Sequence, residues 1–531
     1  MTYRVKDWPP DPDDTNGRPQ GGEDGAVPDR RGGEDPTGRD QAYLRAFELA
    51  KEVQAGSPGA AAEIQALLAE ARAAEWPEVV RAALFASVAS SFADHYTRRL
   101  RHVQDLLALA EQDGAPVMAA LALAERADMR ILQEDSQVAL GSEEDLARAT
   151  VLLESVDGPV MERISAHNAC ARAFCDRWLW EIADEQYAAA LKLAPAPPPR
   201  WAQSVLPAIV YNRSEMQVTW ACVLRQLGDH DGVEARRQTW ETVMAAASTV
   251  DLPSPWRDEL DSLGLLLAAI AGRDTSVPAR TLLARLDPAG HPGAWPVGWL
   301  HLAIALCEQR ASHVDRAAEA VGVAVAEIDS RGSPDAYDLA QWLAMELEGE
   351  GRETAGLRYA QRLLSLRWEH RLSVLGSTLG RIKTERMRRE HDVLTQQVHL
   401  DDLTGLLNRR GFARYLEAVD RQAIESMALL VADLDHFKSV NDRYGHRVGD
   451  SVLVTAGRLL QAHVRTADCA VRLGGDEFAI VLADTGLDVA RRRAEALADA
   501  VRREPWDALA PGLSLSVSVG VAAGSPQQLS E

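Results

Sequence analysis

Leu473-Gly474-Gly475-Asp476-Glu477-Phe478 lies between the apolar runs Ala470-Val471 and Ala479-Ile480-Val481-Leu482. Two strand-like runs joined by a Gly-Gly turn read as a β-hairpin with two carboxylates at its mouth. Gly474 and Gly475 can adopt φ > 0 and let a bulky ligand approach the backbone without a Cβ clash. Asp476 and Glu477 could then hold a hard cation such as Mg²⁺ beside that ligand. The competing reading is a surface hairpin whose two acids are merely solvated. Partner residues elsewhere in the chain decide between the two.

Upstream, Ala428-Leu429-Leu430-Val431-Ala432 has the pattern of a buried strand and runs directly into Asp433-Leu434-Asp435-His436-Phe437-Lys438. Side chains two apart on a strand point the same way, so Asp433 and Asp435 share a face. Asn441, Asp442, His446 and Asp450 follow, with Gly445 and Gly449 between them. The segment holds donors and acceptors suited to a nucleobase edge, and Lys438 carries a charge suited to a phosphate. Singly, each is a common cap, turn former or solvated charge; together they form a constellation.

The run DLDHFKSVNDRYGHRVGD at 433–450, the preceding DDLTGLLNRR at 401–410, the Gly-Gly-Asp-Glu-Phe hairpin and SVSVGVA at 516–522 together resemble the GGDEF family of diguanylate cyclases. The motifs stand in the family's order over roughly residues 400–531. The resemblance implies an α/β, nucleotidyl-cyclase-like domain with an antiparallel central sheet. It implies condensation of two GTP into cyclic di-GMP with release of pyrophosphate, in a homodimer that uses Mg²⁺ or Mn²⁺. Each half-reaction is attack of a ribose 3′-hydroxyl on an α-phosphate, so catalysis is mainly metal-assisted positioning and charge neutralisation.

Carried over by motif position, Asp433 and Asp476 hold the metal with the backbone carbonyl of Leu434. Lys438 stabilises phosphate charge, Asn441 and Asp450 recognise guanine, and His446 supports the nucleotide. Phe437, Gly474 and Gly475 complete the substrate site, and Asp476 or Glu477 helps to deprotonate the 3′-hydroxyl. Arg465-Thr466-Ala467-Asp468 is similar to the family's RxxD inhibitory site, implying feedback by bound cyclic di-GMP. An Arg and an Asp three apart are otherwise an ordinary local ion pair.

One departure is visible. Family members usually continue past the strand at 516–522 with a further helix and a basic Gly-Arg-Asn segment, whereas this sequence stops at Glu531. An apparently shortened domain would expose one sheet face and leave the triphosphate fewer cations. The alternative function is therefore a non-catalytic receptor and scaffold that binds cyclic di-GMP or GTP.

The elements that must position this domain precede it. Residues 1–40 are rich in Pro, Gly and Asp and are expected to be a disordered tail. Residues 41–355 are Ala- and Leu-rich with helical periodicity. Ala183, Tyr187, Ala190, Leu191 and Pro195 resemble the second helix of a tetratricopeptide repeat, and looser copies follow. The expected fold is an all-α helical-repeat solenoid with a groove for an unknown protein or peptide. Between the two regions, 356–399 reads as a coiled-coil signalling helix. Leu372, Leu375, Leu379 and Ile382 keep an a/d spacing, and Met387, Leu394 and Val398 continue it after a skip.

The remaining signals exclude more than they assign. The net charge of −22, from 57 basic and 79 acidic residues, disfavours nucleic acid and anionic membrane as partners. No stretch approaches the roughly twenty apolar residues that span a bilayer, and a signal-peptide core is missing, so a cytoplasmic protein is expected. Five scattered cysteines suit that compartment. Cys170 and Cys175 lack a His pair at zinc spacing and read as buried thiols.

Overall fold

A computed structural model of the chain describes residues 38–54, 57, 59–90, 96–130, 136–195, 197–286, 295–328, 334–349, 353–420, 426–465 and 468–525. The expected tail over 1–40 therefore lies outside the described residues except at 38–40, which are already helical. The chain divides into two compact units, 1–385 and 386–531.

The first unit is built of helices. They are α1 (Gly38–Gln54), α2 (Ala60–Ala73), α3 (Pro77–Ser90), α4 (Tyr96–Gln112) and α5 (Pro116–Arg130). Next come α6 (Ser136–Ser155), α7 (Val160–Cys175), α8 (Trp180–Leu193), α9 (Leu206–Leu227) and α10 (His230–Ala246). The set continues with α11 (Ser254–Ile270), α12 (Ser276–Leu286), α13 (Trp295–Arg310), α14 (Val314–Glu327) and α15 (Pro334–Glu348). Local chemistry sets the boundaries. Gly228 ends α9 in the left-handed region at φ 78°, and Asp229 caps α10 by accepting from the Gly232 N–H at 2.9 Å. Neighbouring helices pack as hairpins, and α5, α7, α9, α11, α13 and α15 each contact the next in that series. This is stacking of successive helix pairs, and α15 also returns to α9. The small residues expected at close helix contacts are there: Ala183 and Ala190 are fully buried, with Tyr187 beside them. Cys170 is buried, and burial pushes its thiol up to about 12, which makes it an inert core group.

A single helix, α16 (Ala355–Val398), runs from the first unit into the second. The a/d stripe read from the sequence is divided along it. Leu375 packs on the helical core and Ile382 is 6% exposed within it, whereas Leu372 and Leu379 are 47% and 50% exposed. A 3.5-residue seam drifts around a 3.6-residue helix, so one stripe cannot face one neighbour throughout. Met387 is exposed as well, and the side chains of Leu394 and Val398 fall outside the described residues.

The second unit is α/β. Strands β1 (Met427–Leu434), β2 (Cys469–Gly474), β3 (Glu477–Ala483) and β4 (Val517–Gly524) form an antiparallel sheet in the order β2-β3-β1-β4. Its helices are α17 (Arg409–Asp420), α18 (Phe437–Tyr444), α19 (His446–Ala462) and α20 (Leu487–Arg503). Strand alternation separates two cores. Ala428, Leu430, Ala432 and Leu434 of β1 join Phe478, Ile480 and Leu482 of β3 beneath α19 and α20. Met427 joins Ala479 and Val481 on the other side, against Phe412, Tyr415 and Leu416 of α17. On that second side Val431 is 42% exposed. Among the described residues no helix is long and apolar enough to cross a membrane.

Candidate active site

The expected hairpin forms, with a register shift between Arg472 and Gly474. Gly474 has φ 154° and Gly475 has φ 54°, values that side chains disfavour, so both positions need glycine. The turn brings Glu477 directly opposite Asp433 on the neighbouring strand. The Leu434 N–H donates to the Asp476 carbonyl at 3.3 Å, which fixes the backbone of Asp476 beside the end of β1. Asp433 and Glu477 are exposed and Asp476 is half-buried. Two like charges directly opposite on a sheet repel each other, an arrangement a bound cation would relieve. The available donors are carboxylates and carbonyls, hard oxygens suited to Mg²⁺, which keeps several of its own waters. Among the described residues no group of three or more His, Cys, Asp or Glu is placed to enclose a metal by itself.

The nucleotide-reading candidates lie on the two helices after β1. Lys438 and Asn441 are on α18; His446 and Asp450 are one turn apart at the start of α19. Gly445, at φ 84°, turns the chain between them. The helices approach so closely that a Cβ on Gly449 would lie 1.9 Å from Asn441 Oδ1 and 3.4 Å from the Phe437 ring. Gly449 thus brings Asn441 to the turn that carries Asp450. Lys438, His446 and Asp450 are exposed, whereas Phe437 is 8% exposed and belongs to the hydrophobic core. Its place beside Gly449 makes it a packing support for α18.

Two groups anchor the site in ways that the sequence pattern did not show. Arg472, on β2, donates from Nε and Nη2 to the Gly475 carbonyl at 3.0 and 2.8 Å. Its Nη1 donates to both carboxylate oxygens of Asp401 at 3.0 and 3.2 Å. The turn is therefore tied to the start of the domain, where Asp401 also accepts from the Thr404 N–H and hydroxyl. Burial alone would raise the Asp401 carboxyl, but the bonds from Thr404 and Arg472 outweigh it and hold it below its ordinary value. The available signal was an arginine within an apolar strand, two residues before the glycines. Asp435 is the second anchor. Its carboxylate accepts from the hydroxyls of Ser516 and Ser518, the latter at 2.7 Å, and these bonds hold it below the usual range. Asp435 thereby fixes β4 beside Asp433, and the alternation that placed it near Asp433 did not show that its oxygens are occupied.

At the RxxD segment the guanidinium of Arg465 does not pair with Asp468 as a simple ion pair would. The Arg465 backbone N–H donates to Asp468 Oδ2 at 3.0 Å and the Ala483 N–H donates to Oδ1 at 3.1 Å. Arg493 stands 3.7 Å from the same carboxylate, whose side chain is 5% exposed. Asp468 thus closes the start of β2 onto the end of β3, and Arg465 is exposed.

This sheet, hairpin and carboxylate pair define a nucleotidyl-cyclase-like domain. The C-terminal region is a GGDEF domain: residues 398–531 match the family model described as diguanylate cyclase, GGDEF domain. The chain is 38% identical over 159 residues to the uncharacterised protein YhcK of Bacillus subtilis strain 168, covering 29% of this chain and 44% of YhcK. It is 39% identical over 142 residues to the diguanylate cyclase DgcM of Escherichia coli K12, covering 26% of this chain and 34% of DgcM. Among solved structures it is similar to a sensory box/GGDEF family protein of Caulobacter crescentus CB15. That likeness has 40% identity and a TM-score of 0.22, over 24% of this chain and 83% of the other. The chain spans less than half the length of the two curated relatives.

Proposed function

We propose that the protein is a diguanylate cyclase, condensing two GTP into cyclic di-GMP and pyrophosphate in a homodimer. The observation that carries this reading is the carboxylate arrangement at the glycine turn: Glu477 opposite Asp433, with Asp476 bonded through its carbonyl to Leu434. Asp433, Asp476 and the Leu434 carbonyl would hold Mg²⁺ or Mn²⁺, which supplies charge neutralisation at the phosphates and a more acidic ribose hydroxyl. Asp476 or Glu477 accepts the 3′-hydroxyl proton. Lys438 would stabilise the charge that builds on the phosphates, and Asn441 and Asp450 would recognise guanine through oxygens at its N–H edge. The glycines leave the triphosphate room to lie against the turn. The name carried by DgcM, 39% identical over the matched region, supports the same chemistry.

The test is incubation of the purified full chain with GTP and Mg²⁺, with cyclic di-GMP read by chromatography. Product that disappears with Asp433→Asn supports the cyclase. Absence of product together with tight binding of cyclic di-GMP would replace it with the receptor reading. Product feedback through Arg465 and Asp468 belongs to the same proposal, with Arg465 as the exposed group that meets the ligand. Arg465→Ala should keep turnover while raising the product concentration that halves it by about tenfold; unchanged inhibition removes the feedback site. The helical unit is the regulatory half in this reading: tetratricopeptide-like repeats that receive a protein or peptide, joined through α16 as the signalling helix. A cytoplasmic location follows from a GTP-consuming reaction.

A further inference from the structure

The part of α16 that belongs to the first unit is held by an unusual set of side chains. Trp178 and Trp180, on the turn from α7 into α8, stack with ring centroids 5.1 Å apart. Trp180 stacks in turn on Trp220 of α9 at 5.7 Å and meets Trp368 of α16 at 6.4 Å. Two arginines of α16 close over this ladder. The Arg367 guanidinium is 3.3 Å from the centre of the Trp178 ring, and that of Arg371 is 4.4 Å from the Trp368 ring. Arg371 Nε also donates to the Trp178 carbonyl at 2.7 Å, and its guanidinium pairs with Glu181. Trp178 reaches this position with φ 59°, a left-handed conformation that costs a bulky residue free energy.

The interface is not built like a permanent one. The Arg371 side chain is 2% exposed, yet its Nη1 has no hydrogen-bond partner among the described residues. Two helical turns further on, Thr378 is 1% exposed and its hydroxyl is likewise without a partner among the described residues. A buried donor left unpaired has lost its water without a replacement, which favours the open state of whatever buries it. Stacking and cation–π contacts favour the closed state by comparable amounts. Strong specific contacts offset by unpaired buried donors and a strained backbone describe a contact that closes in one geometry and opens at modest cost.

We infer that these four tryptophans, with Arg367 and Arg371, are a clasp that fixes α16 to the helical unit and releases it as a local event. Arg371 is its positioning residue, joining the α7–α8 turn to the helix that continues into the GGDEF domain. The regulatory half of this inference, that release changes the output of that domain, rests on the cyclase reading. A ligand of the helical unit that shifts the α7–α8 turn would then act on α16 directly.

Amide hydrogen exchange on the full chain tests it, with Arg371→Ala and the milder Arg371→Lys, which keeps the charge but loses the planar fork. Exchange over residues 364–382 is expected to quicken by about tenfold in the alanine variant and by less in the lysine variant, while α1–α6 keep their protection. Unchanged exchange in α16 overturns the clasp. So does an equal loss of protection across the whole unit in both variants, which would make Arg371 an ordinary core support. The same variants with GTP and Mg²⁺ should show altered turnover with an unmoved KM. Faster exchange with unaltered turnover overturns the regulatory half alone. A wild-type chain that forms no product sinks the cyclase reading and leaves the exchange result standing.

Discussion

Asp433 stands opposite Glu477 on one side and Ser518 on the other, so its carboxylate faces an acid and a hydroxyl. The fold tolerates the like-charged pair where a neutral residue would serve stability better. Asp433→Asn should therefore move two quantities in opposite directions. Cyclic di-GMP formation falls by at least about a hundredfold, because charge neutralisation at the phosphates is lost. In metal-free buffer the domain gains roughly 0.2–1 kcal/mol, the scale of a cross-strand like-charge penalty. Calorimetry beside a product assay checks both, and a variant that is inactive and also less stable would mark Asp433 as a folding residue. The roles of Arg472 and Asp435 belong to this scale too. Each supports the site by occupying another group: Arg472 holds the Gly475 carbonyl, and Asp435 holds two serines of β4.

At the scale of elements, the meeting of α18 and α19 decides whether the residues proposed to read guanine can act together. A methyl group at Gly449 would occupy the space of Asn441 Oδ1, and the Asn441 carboxamide can swing aside at small cost to the fold. Gly449→Ala is thus expected to fold normally and raise the KM for GTP by about tenfold, with a smaller effect on kcat. Steady-state kinetics decides, since a fall in kcat at unchanged KM would place Asn441 outside nucleotide binding. The long helix α16 shows the limit of sequence patterns at this scale. Leu372, Leu375, Leu379 and Ile382 form one stripe on paper, but Leu375 and Ile382 turn into the helical core while Leu372 and Leu379 stay half exposed. Spacing identifies a helix with an apolar face; the neighbour that takes the face comes from folding.

At the scale of the molecule, the helical unit buries carboxyl groups more deeply than nearby charges compensate. Burial, with Glu259 nearby, pushes Glu215 of α9 up to about 8, and burial pushes Glu259 of α11 up to about 7 against the hydrogen bond from Tyr211. Asp335 of α15 is pushed up to about 7 by burial, which outweighs the attraction of Arg367. A carboxyl raised in the folded state binds its proton more tightly there than in the unfolded chain. Its contribution to stability is complete below its ordinary pKa of 4.5 for Glu, and is lost as pH rises through the folded value. The melting temperature of the helical unit should therefore fall between about pH 4.5 and about pH 8. Glu215→Gln should recover about 2 °C at the upper end and little at the lower. A melting temperature that rises with pH over this window would contradict the burial of these acids in solution.

The sequence by itself determined which residues of the C-terminal domain are candidates for chemistry, because their grouping is local. A strand ending in Asp433, a glycine turn carrying Asp476 and Glu477, and the polar segment through Asp450 are each set by residues adjacent in the chain, and strand periodicity alone orients them. It also determined that the preceding region is helical, since Ala and Leu at helical spacing leave few other ways to bury their surface. Tertiary structure decided what depends on partners far apart in the chain. Arg472 meets Asp401 across 71 residues, Asp435 meets Ser516 and Ser518 across 81 and 83, and Arg371 reaches the Trp178 carbonyl across 193. No pattern within a strand or a helix encodes such pairs, because hydrogen-bond geometry and burial exist only once the elements have packed. The residues able to do chemistry were therefore legible beforehand, whereas the groups that hold them, and the clasp on α16, were not.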